Sequence, residues 1–189
     1  MKAIVKILCV ALLFSGWQTF AQEEHQNNTE KDHDDEHFHK HSIAILLNHT
    51  FIGTGLDDEG GSKTISVPSW AINYDYHFDH RWSLGLHNDI IAESFIVENQ
   101  AEGQELLERE TPIAVVAVGS YRPIEGLALE LGTGIEFEKN ENFGLLRIGA
   151  EYGIEIPQLK MEAIFGIDYD ILFDAYDAFN IGIGLAKFF

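Results

Sequence analysis

Large apolar residues alternate with small or charged ones along most of the chain, and this two-residue period constrains the fold more than any other feature. In the segment 181–189, Ile, Ile, Leu, Lys and Phe occupy the odd positions, whereas Gly, Gly, Ala and Phe occupy the even ones. Successive side chains of a β-strand point to opposite faces, whereas a helix repeats about every 3.6 residues. The period therefore predicts strands, and it recurs at 127–137 and 159–171.

The alternation predicts eight strands and no helix from residue 42 onward. The strands are expected at 42–54, 65–78, 82–98, 111–122, 127–139, 143–156, 159–171 and 178–189. The connections at 79–81, 123–126 and 157–158 are short, whereas those near 55–64 and 99–110 are long and acidic. Short turns at one end, long loops at the other and both chain ends on the short side are typical of outer-membrane barrels. The predicted fold class is all-β, an eight-stranded antiparallel up-and-down transmembrane β-barrel with a disordered N-terminal leader.

The turn at 157–158 predicts a register for the two strands that it joins. Pairing across this turn places Glu155 opposite Lys160 and Arg147 opposite Asp168. Opposite charges that face each other across a ladder stabilise it by roughly 0.2–1 kcal/mol. A one-residue slip would move every side chain to the other face. The ion pairs and the apolar face therefore support the same register.

The turn at 79–81 brings several ionisable side chains to the polar face. Pairing Phe78 with Trp82 places His87 opposite Asn73 and points Asp75, His77, His87 and Asp89 to the same side. Such a cluster could form a metal or acid–base site, but we interpret it as a polar network that fills a narrow barrel. The remaining members of that network are expected to be Arg147, Lys160, Glu151, Glu155 and Asp168.

Alternation alone does not decide which face meets the solvent. A soluble lipocalin-like carrier would turn its apolar face inward around an apolar ligand, whereas a membrane barrel would turn it outward to lipid. The polar face mixes Gly with charged residues, which favours a crowded interior. Strand 111–122 is apolar on both faces at 113–118 and leaves its own orientation open. Aromatic residues near the strand ends favour the membrane barrel, since aromatic girdles mark membrane interfaces; they are Phe78, Trp82, Tyr121, Tyr169, Phe179 and Phe189.

The first 41 residues are expected to lie outside the barrel. Residues 1–21 have a basic start, a short apolar run at 7–14 and a small residue before Gln22, as a secretory signal peptide has. Residues 22–41 contain five His, seven acids and two Lys, and such a composition predicts a disordered leader. Imidazole binds Zn, Cu or Ni. The leader is therefore a candidate for weak divalent-metal binding through His33, His37, His39 and His41.

Residues 42–189 resemble the small eight-stranded outer-membrane β-barrels of Gram-negative bacteria, the OmpX, OmpA-barrel and OmpW type. The signal peptide, the eight-strand rhythm and the alternating 181–189 segment carry this resemblance. It implies a location in the cell outer membrane, lipid as the immediate partner and a monomeric state. It also implies that Phe189 serves as a signal for the barrel-assembly machinery. The His-rich leader is not a feature of that family.

Charge and composition narrow the functions. Asp and Glu number 31 against 12 Lys and Arg, a net charge of −19 that argues against nucleic-acid binding. Ser94 and Ser120 have no evident His beside them, and Ser42 follows His41 only at the leader's end of its strand. We therefore expect no enzymatic activity and no resident cofactor. The first hypothesis is a structural or surface-interaction barrel with acidic loops; the alternatives are divalent-metal binding by the leader and a soluble carrier.

Overall fold

The protein is described by a computed structural model that covers residues 38–56, 62–98 and 106–189. The predicted signal peptide and most of the predicted leader, including His33 and His37, lie outside these residues. No helix in the described part of the chain is long and apolar enough to cross a membrane. The described residues form ten strands: β1 (His41–Leu56), β2 (Ser62–His77), β3 (Trp82–Ile91), β4 (Phe95–Glu98), β5 (Leu106–Arg109), β6 (Ile113–Ile124), β7 (Leu127–Phe137), β8 (Phe143–Ile156), β9 (Met161–Leu172) and β10 (Asp177–Phe188).

Eight of the described strands close into an antiparallel barrel. Strands β1, β2, β3, β6, β7, β8, β9 and β10 pair in that order, and β10 pairs again with β1. The closing seam runs from Ser42 opposite Phe188 to Ile52 opposite Ala178. The predicted fold class is therefore confirmed for the barrel. We call the end with the connections 78–81, 125–126 and 157–160 the short-turn end, and the opposite end the long-loop end.

The predicted strand 82–98 is wrong in one respect, because it is interrupted. Strand β3 ends at Ile91, and the chain bends through residues 92–94 before β4 begins. Strand β4 pairs with β5 as a hairpin and touches β1 where Val97 lies opposite Gly55. The buried residues Phe95 and Val97 preserve the two-residue period of β3 across the bend. The pattern therefore could not reveal that the strand stops.

The apolar face of the barrel points outward. Large apolar side chains on the outside of every barrel strand are exposed, including Leu47, Trp70, Leu131 and Ile183. The alternate residues are buried inside; many are small or polar, and the others form apolar clusters that include Leu46, Ile52 and Leu145. In β6, Val116 and Val118 are fully buried whereas Ile113 is exposed, so the face of Ile113 points outward. This arrangement settles the orientation that the 113–118 segment left open, and it is the reverse of a soluble carrier.

Aromatic side chains ring the short-turn end. Trp82 lies opposite Tyr121 in the β3–β6 ladder, and their ring centroids are 4.6 Å apart. Phe78 and Phe189 are also exposed at this end. Tyr169 and Phe179 face outward nearer the long-loop end and lie opposite each other. The expected aromatic positions at the strand ends are therefore confirmed.

One of the two predicted registers is confirmed and the other is wrong. His87 lies opposite Asn73, and the Phe78 amide donates to the Trp82 carbonyl oxygen at 2.9 Å, as the 79–81 turn predicts. The second turn spans residues 157–160 rather than 157–158, so the β8–β9 ladder is offset by two residues. Side chains of a strand alternate with a period of two residues. An offset of two residues therefore leaves the same side chains of β8 and β9 inside the barrel, although each residue has a different partner across the ladder.

The offset changes both predicted ion pairs of the β8–β9 ladder. Arg147 lies opposite Asp170 instead of Asp168, and Glu155 lies opposite Glu162 instead of Lys160. Lys160 occupies the turn itself with a φ of 50° and is exposed. It is therefore not part of the lumen network. The two-residue turn was wrong because Pro-Gln is not a preferred hairpin turn, and the chain uses a wider one.

Candidate functional site

Arg147 is the centre of the polar network that fills the lumen. Strand β8 directs this side chain inward, where it is 1% exposed. Its Nε and Nη2 atoms donate to the two carboxylate oxygens of Asp170 at 2.7 and 2.6 Å. Its Nη1 atom lies 2.7 Å from Oδ2 of Asp89, on β3 across the lumen. A guanidinium paired in this bidentate way holds its partners in a fixed geometry.

A second group of titratable residues lies around His87. Its Nε2 atom is 3.1 Å from Oδ1 of Asp75, and its Nδ1 atom is 4.0 Å from Oε2 of Glu130. Ser120 donates to Glu130 at 3.4 Å. The predicted inward cluster of Asp75, His87 and Asp89 is thus present, but Asp89 belongs with Arg147. In the described part of the chain, no group of three or more His, Cys, Asp or Glu side chains is arranged to hold a metal ion.

Ser42 and His77 form the nearest approach to a nucleophile and base. The Ser42 Oγ atom is 3.0 Å from Nε2 of His77, and both side chains are buried. Asp75 lies opposite Ser42 in the ladder but contacts His87 instead. Among the described residues no carboxylate hydrogen-bonds Nδ1 of His77, which a triad of the Ser-His-Asp kind requires. The pair is better understood as packing of the lumen near the short-turn end.

The space left inside the barrel at the short-turn end is small. A cavity of about 40 Å³ lies beside Ser42, Asp75 and Glu151. A water molecule needs roughly 10–15 Å³ of such volume, so this cavity holds a few waters at most. Side chains of the barrel therefore fill most of this part of the lumen, as the sequence predicted.

Arg109 anchors the β4–β5 hairpin to the long-loop mouth of the barrel. Strand β5 turns this side chain inward, and it is 0% exposed. The guanidinium is paired with Glu136 of β7 and lies 3.5 Å from Oε2 of Glu138. Nη1 also donates to the Glu141 carbonyl oxygen at 2.7 Å, and the group lies over the Phe143 ring at 4.9 Å. The hairpin is thus fixed across the mouth by several contacts to one cation.

Tyr176 completes this mouth network from the β9–β10 connection. Its hydroxyl lies 2.9 Å from both oxygens of Glu136, and its ring meets Phe95 of the hairpin edge-on. Burial, and then the nearby Glu136 carboxylate, raise the pKa of Tyr176 well above the ordinary value of a tyrosine. The hydroxyl therefore remains protonated and donates to the carboxylate. An apolar cluster surrounds the network; its members include Ile52, Val67, Ile91, Val97, Val116, Leu145 and Leu172.

Glu138 is held as a carboxylate at the edge of the same network. Burial raises its pKa, but the backbone N–H groups of Asn140 and Lys139 and the charge of Arg109 outweigh burial, so the pKa is lowered. The Asn140 amide donates to Oε2 at 2.8 Å. Glu138 therefore keeps its negative charge beside Arg109 at neutral pH.

Arg109 is a site residue that the sequence prediction missed. It is the one basic residue between positions 92 and 112, a stretch with six acids. A single cation among so many acids is a signal for an internal ion pair, since a buried charge needs a partner. The sequence could not name that partner, because Glu136 lies in a different strand.

The four predicted metal-ligating residues are not all within the described part. His33 and His37 lie outside it, and His39 is exposed just before β1. His41 is the first residue of β1; its Nδ1 atom is 2.8 Å from the Tyr74 hydroxyl, and its ring stacks on Phe189 at 5.7 Å. Metal binding by the leader therefore stays a prediction.

These features define the class of the protein. A closed antiparallel barrel of eight strands pairs the backbone groups of each strand with those of its neighbours, as a sheet that spans lipid requires. Its exterior is apolar, aromatic residues lie near the strand ends, and side chains fill much of its interior. The chain is an eight-stranded transmembrane β-barrel of the outer-membrane type, and the short-turn end corresponds to the periplasmic side. The predicted location in the cell outer membrane follows from this class.

Comparison with solved structures agrees with this assignment at the level of the fold. Ail, the attachment invasion locus protein of Yersinia pestis, solved with the heparin analogue sucrose octasulfate, is 16% identical; the match covers 78% of this chain and 98% of Ail with a TM-score of 0.50. OprG from Pseudomonas aeruginosa is 10% identical; the match covers 78% of this chain and 97% of OprG with a TM-score of 0.45. Neisserial surface protein A is 10% identical; the match covers 79% of this chain and 97% of that protein with a TM-score of 0.44.

At these identities the likeness concerns the fold alone. The predicted resemblance to small outer-membrane barrels is confirmed at that level. Neither protein-family models nor curated proteins yield a match.

Proposed function

We propose that the protein is a closed, non-enzymatic outer-membrane barrel that presents an acidic surface at its long-loop end to cationic partners. The observation that carries this proposal is the orientation of Arg109. The hairpin turns its one described cation inward, where Glu136 and Glu138 neutralise it, while Glu108 and Glu110 on either side are exposed. The negative charge of the hairpin is therefore directed to the solvent.

The other connections at this end support the same charge. Glu93, Glu141 and Asp174 are exposed there, beside the exposed Lys139. Clustered charge of one sign attracts oppositely charged partners and is weakened by salt. Residues 57–59 and 102–105 add acids to these loops in the sequence but lie outside the described part.

A filled lumen argues against conduction as the main function. Arg147, the mouth network and the apolar cluster occupy the interior from its centre to the long-loop end. Eight strands leave space only for side chains or one small ligand. We therefore expect no steady ionic current across a planar bilayer that contains the purified barrel.

The test measures binding of polylysine to the full chain in nanodiscs, which expose both ends of the barrel. The expected result is saturable binding that weakens as salt is raised from 50 to about 500 mM, since the Debye length falls well below 10 Å. Glu108→Gln should weaken binding, whereas Glu125→Gln, an exposed acid in a short turn, should not. Equal effects of the two variants would contradict the proposal.

Binding of a polyanionic ligand is a second test, for which the proposal predicts the opposite result. Ail was solved with sucrose octasulfate bound. The exposed acids of this chain repel such a ligand, so we expect no binding of sucrose octasulfate. Saturable binding of that probe would overturn the assignment of a cation-binding surface.

Deletion of residues 22–40 separates this function from metal binding by the leader. The deletion removes His33, His37 and His39 but leaves the long-loop end intact. The deletion also removes seven acids, so total polylysine binding is expected to fall, but Glu108→Gln is expected to weaken the remaining binding as it does in the full chain. Loss of the Glu108→Gln effect in the deletion variant would contradict the proposal, and loss of bound Ni²⁺ would assign a separate metal function to the leader.

A further inference from the structure

The β4–β5 hairpin leaves the barrel wall between two prolines. The amide of Ala92 donates to the Pro68 carbonyl oxygen on β2 at 3.0 Å. The amide of Ile91 donates to the Pro112 carbonyl oxygen, just before β6, at 3.1 Å. A residue in an antiparallel ladder turns its N–H and its C=O to the same side, so each proline accepts one bond here and returns none. The pairing of β3 with both neighbours therefore weakens at this level, where the chain turns over the mouth.

The return from the hairpin to β6 is strained. Thr111 has a φ of 44°, which lies in the left-handed region. A β-branched residue rarely adopts this conformation, and a residue that precedes a proline prefers an extended one. Such strain persists only where the surrounding contacts enforce it. The docked position of the hairpin is therefore disfavoured at its base, and the strain is released when the hairpin moves away.

The hairpin fills the long-loop mouth with an apolar surface and one cation. Phe95 and Val97 of β4 are buried in the apolar cluster of the barrel interior. Beside them, the Arg109 guanidinium of β5 pairs with Glu136 of the wall. Among the described residues, one ladder pair joins the hairpin to the wall, Val97 opposite Gly55 of β1. Side-chain contacts, rather than a ladder, therefore hold the hairpin in the mouth.

The barrel residues beneath the hairpin form a chamber, which we define by its apolar walls and its charged rim. The walls are interior residues of the barrel strands; they include Ile52, Val67, Val116, Leu145 and Leu172. The rim carries Glu136, with the Tyr176 hydroxyl 2.9 Å from its carboxylate. Arg147, the next inward residue of β8 after Leu145, lies below with its ion pairs. A buried carboxylate needs a cationic partner, so the chamber suits an apolar body with a single cationic group.

We propose that the hairpin is a displaceable plug and that the chamber beneath it binds small amphiphilic cations, with one apolar group and one guanidinium or ammonium group. The ligand cation takes the place of Arg109 at Glu136, and its apolar group takes the place of Phe95. The hairpin then swings outward about residues 92–94 and 110–112. This site is distinct from the acidic outer surface, because its contacts lie under the hairpin.

Binding of phenethylguanidine to the full chain in nanodiscs, relative to empty nanodiscs, tests the proposal. Val97→Cys measures displacement of the hairpin, since the one natural cysteine, Cys9, lies in the predicted signal peptide. Val97 is 0% exposed, so a charged thiol reagent should react slowly with the thiol of this variant. Saturating phenethylguanidine should accelerate the reaction by about tenfold or more, as expected when a minor open state becomes the main one. Phenethyl alcohol, which lacks the cation, should not accelerate it.

Two variants change the plug in opposite directions. Gly55→Cys with Val97→Cys, oxidised to a disulfide, ties the hairpin to its ladder partner and should abolish ligand binding until the bridge is reduced. Leu107→Ala removes a hairpin side chain that packs against the apolar cluster. It should strengthen ligand binding several-fold, because affinity rises with the open fraction. Ile96→Ala, on the exposed face of β4, is the matched control and should leave the affinity unchanged.

Three results would overturn the proposal. Full binding to the oxidised double-cysteine variant would place the ligand outside the chamber. Weaker binding to Leu107→Ala would show that the hairpin is part of the site rather than its competitor. Equal acceleration by phenethyl alcohol would show that Glu136 does not select the cation. The boiling-dependent shift on an SDS gel verifies that each variant is folded.

The outer acidic surface and the chamber can fail independently. Glu108→Gln, which is expected to weaken polylysine binding, alters an exposed side chain of the hairpin and should leave the affinity for phenethylguanidine unchanged. The oxidised double-cysteine variant should lose phenethylguanidine but retain polylysine. Parallel loss of both ligands in either variant would contradict the assignment of two separate sites.

Discussion

The Arg147 guanidinium donates to both oxygens of the Asp170 carboxylate, its ladder partner on β9, at 2.7 and 2.6 Å. Its remaining nitrogen lies 2.7 Å from Asp89 on β3, a strand on the other side of the lumen. One side chain therefore connects strands that are not neighbours in the barrel. These contacts link β8 and β9 to β3 across the lumen.

Removal of the central cation should destabilise the barrel strongly. Arg147→Met leaves the carboxylates of Asp89 and Asp170 buried without their partner, and such a loss costs about 3–5 kcal/mol. Urea unfolding of the protein refolded into lipid vesicles, followed by tryptophan fluorescence, measures the change. The triple variant Arg147→Met, Asp89→Asn, Asp170→Asn should recover much of the loss. A single variant as stable as the wild type would show that the network contributes little.

The mouth network predicts a smaller effect for Tyr176→Phe. The variant keeps the ring against Phe95 but removes the hydroxyl that donates to Glu136. Loss of a buried hydrogen bond to a charged group costs about 1–3 kcal/mol. Limited proteolysis should also cut the β4–β5 hairpin faster in this variant. Tyr169→Phe, an exposed tyrosine bonded to Asp177, is the control and should change neither measurement appreciably.

The outward orientation of the apolar face predicts a cost for charge at an exposed position. Leu131 is 59% exposed, and in a water-soluble protein its replacement by Arg would be nearly neutral. In a lipid-facing strand the same change costs about 2–4 kcal/mol near the bilayer midplane. Urea unfolding in vesicles of Leu131→Arg, compared with Leu131→Ala, gives the measurement. Equal stability of the two variants would favour the soluble carrier.

The hydrogen bonds of the turn at 79–81 predict that the stability of the barrel depends on pH only at acidic pH. The Asp79 carboxylate accepts backbone N–H bonds from Arg81 at 2.7 Å and from Trp82 at 2.9 Å, and these bonds lower its pKa. The unfolded chain therefore binds this proton more tightly than the folded chain, so stability rises with pH through this range. The contribution is fully present above the unfolded pKa of about 3.9 and is lost as the pH falls through the lower folded value.

The comparison of wild type with Asp79→Asn measures this contribution. The wild type should be the more stable protein from pH 5 to pH 8, and the difference should shrink below about pH 4, because a protonated Asp resembles Asn. A difference that persists unchanged in strong acid would exclude the carboxylate charge as its cause.

Most of the barrel could be predicted from the sequence because one face meets lipid. The alternation alone predicts which side chains of β7, β9 and β10 share a face, and the 79–81 turn predicts the β2–β3 register correctly. The 157–160 turn did not, because a shift of two residues leaves the same side chains inside. Alternation identifies faces, whereas turn geometry sets the partners.

The lumen was predicted less completely than the wall of the barrel. Asp75 and His87 were correctly placed together, but the link from Arg147 to Asp89 joins strands that do not pair. The Arg109–Glu136 pair was missed for the same reason, since a hairpin folded across the mouth leaves no periodic signal. Contacts across the lumen depend on barrel diameter and strand tilt, which a linear pattern does not contain.

The seam between β1 and β10 has a consequence for the order of folding. The Thr50 hydroxyl donates to Asn180 at 2.7 Å across a separation of 130 residues. Of the other seven barrel pairings, six join strands that are consecutive along the chain, and the β3–β6 pairing spans only the β4–β5 hairpin. Contacts between residues that are far apart in sequence have the largest entropic cost of loop closure and form slowly. An open sheet with two unpaired edges must therefore precede the barrel. The backbone N–H and C=O groups along those edges have no hydrogen-bond partner in lipid. We therefore expect closure of the barrel and its insertion into the membrane to occur together.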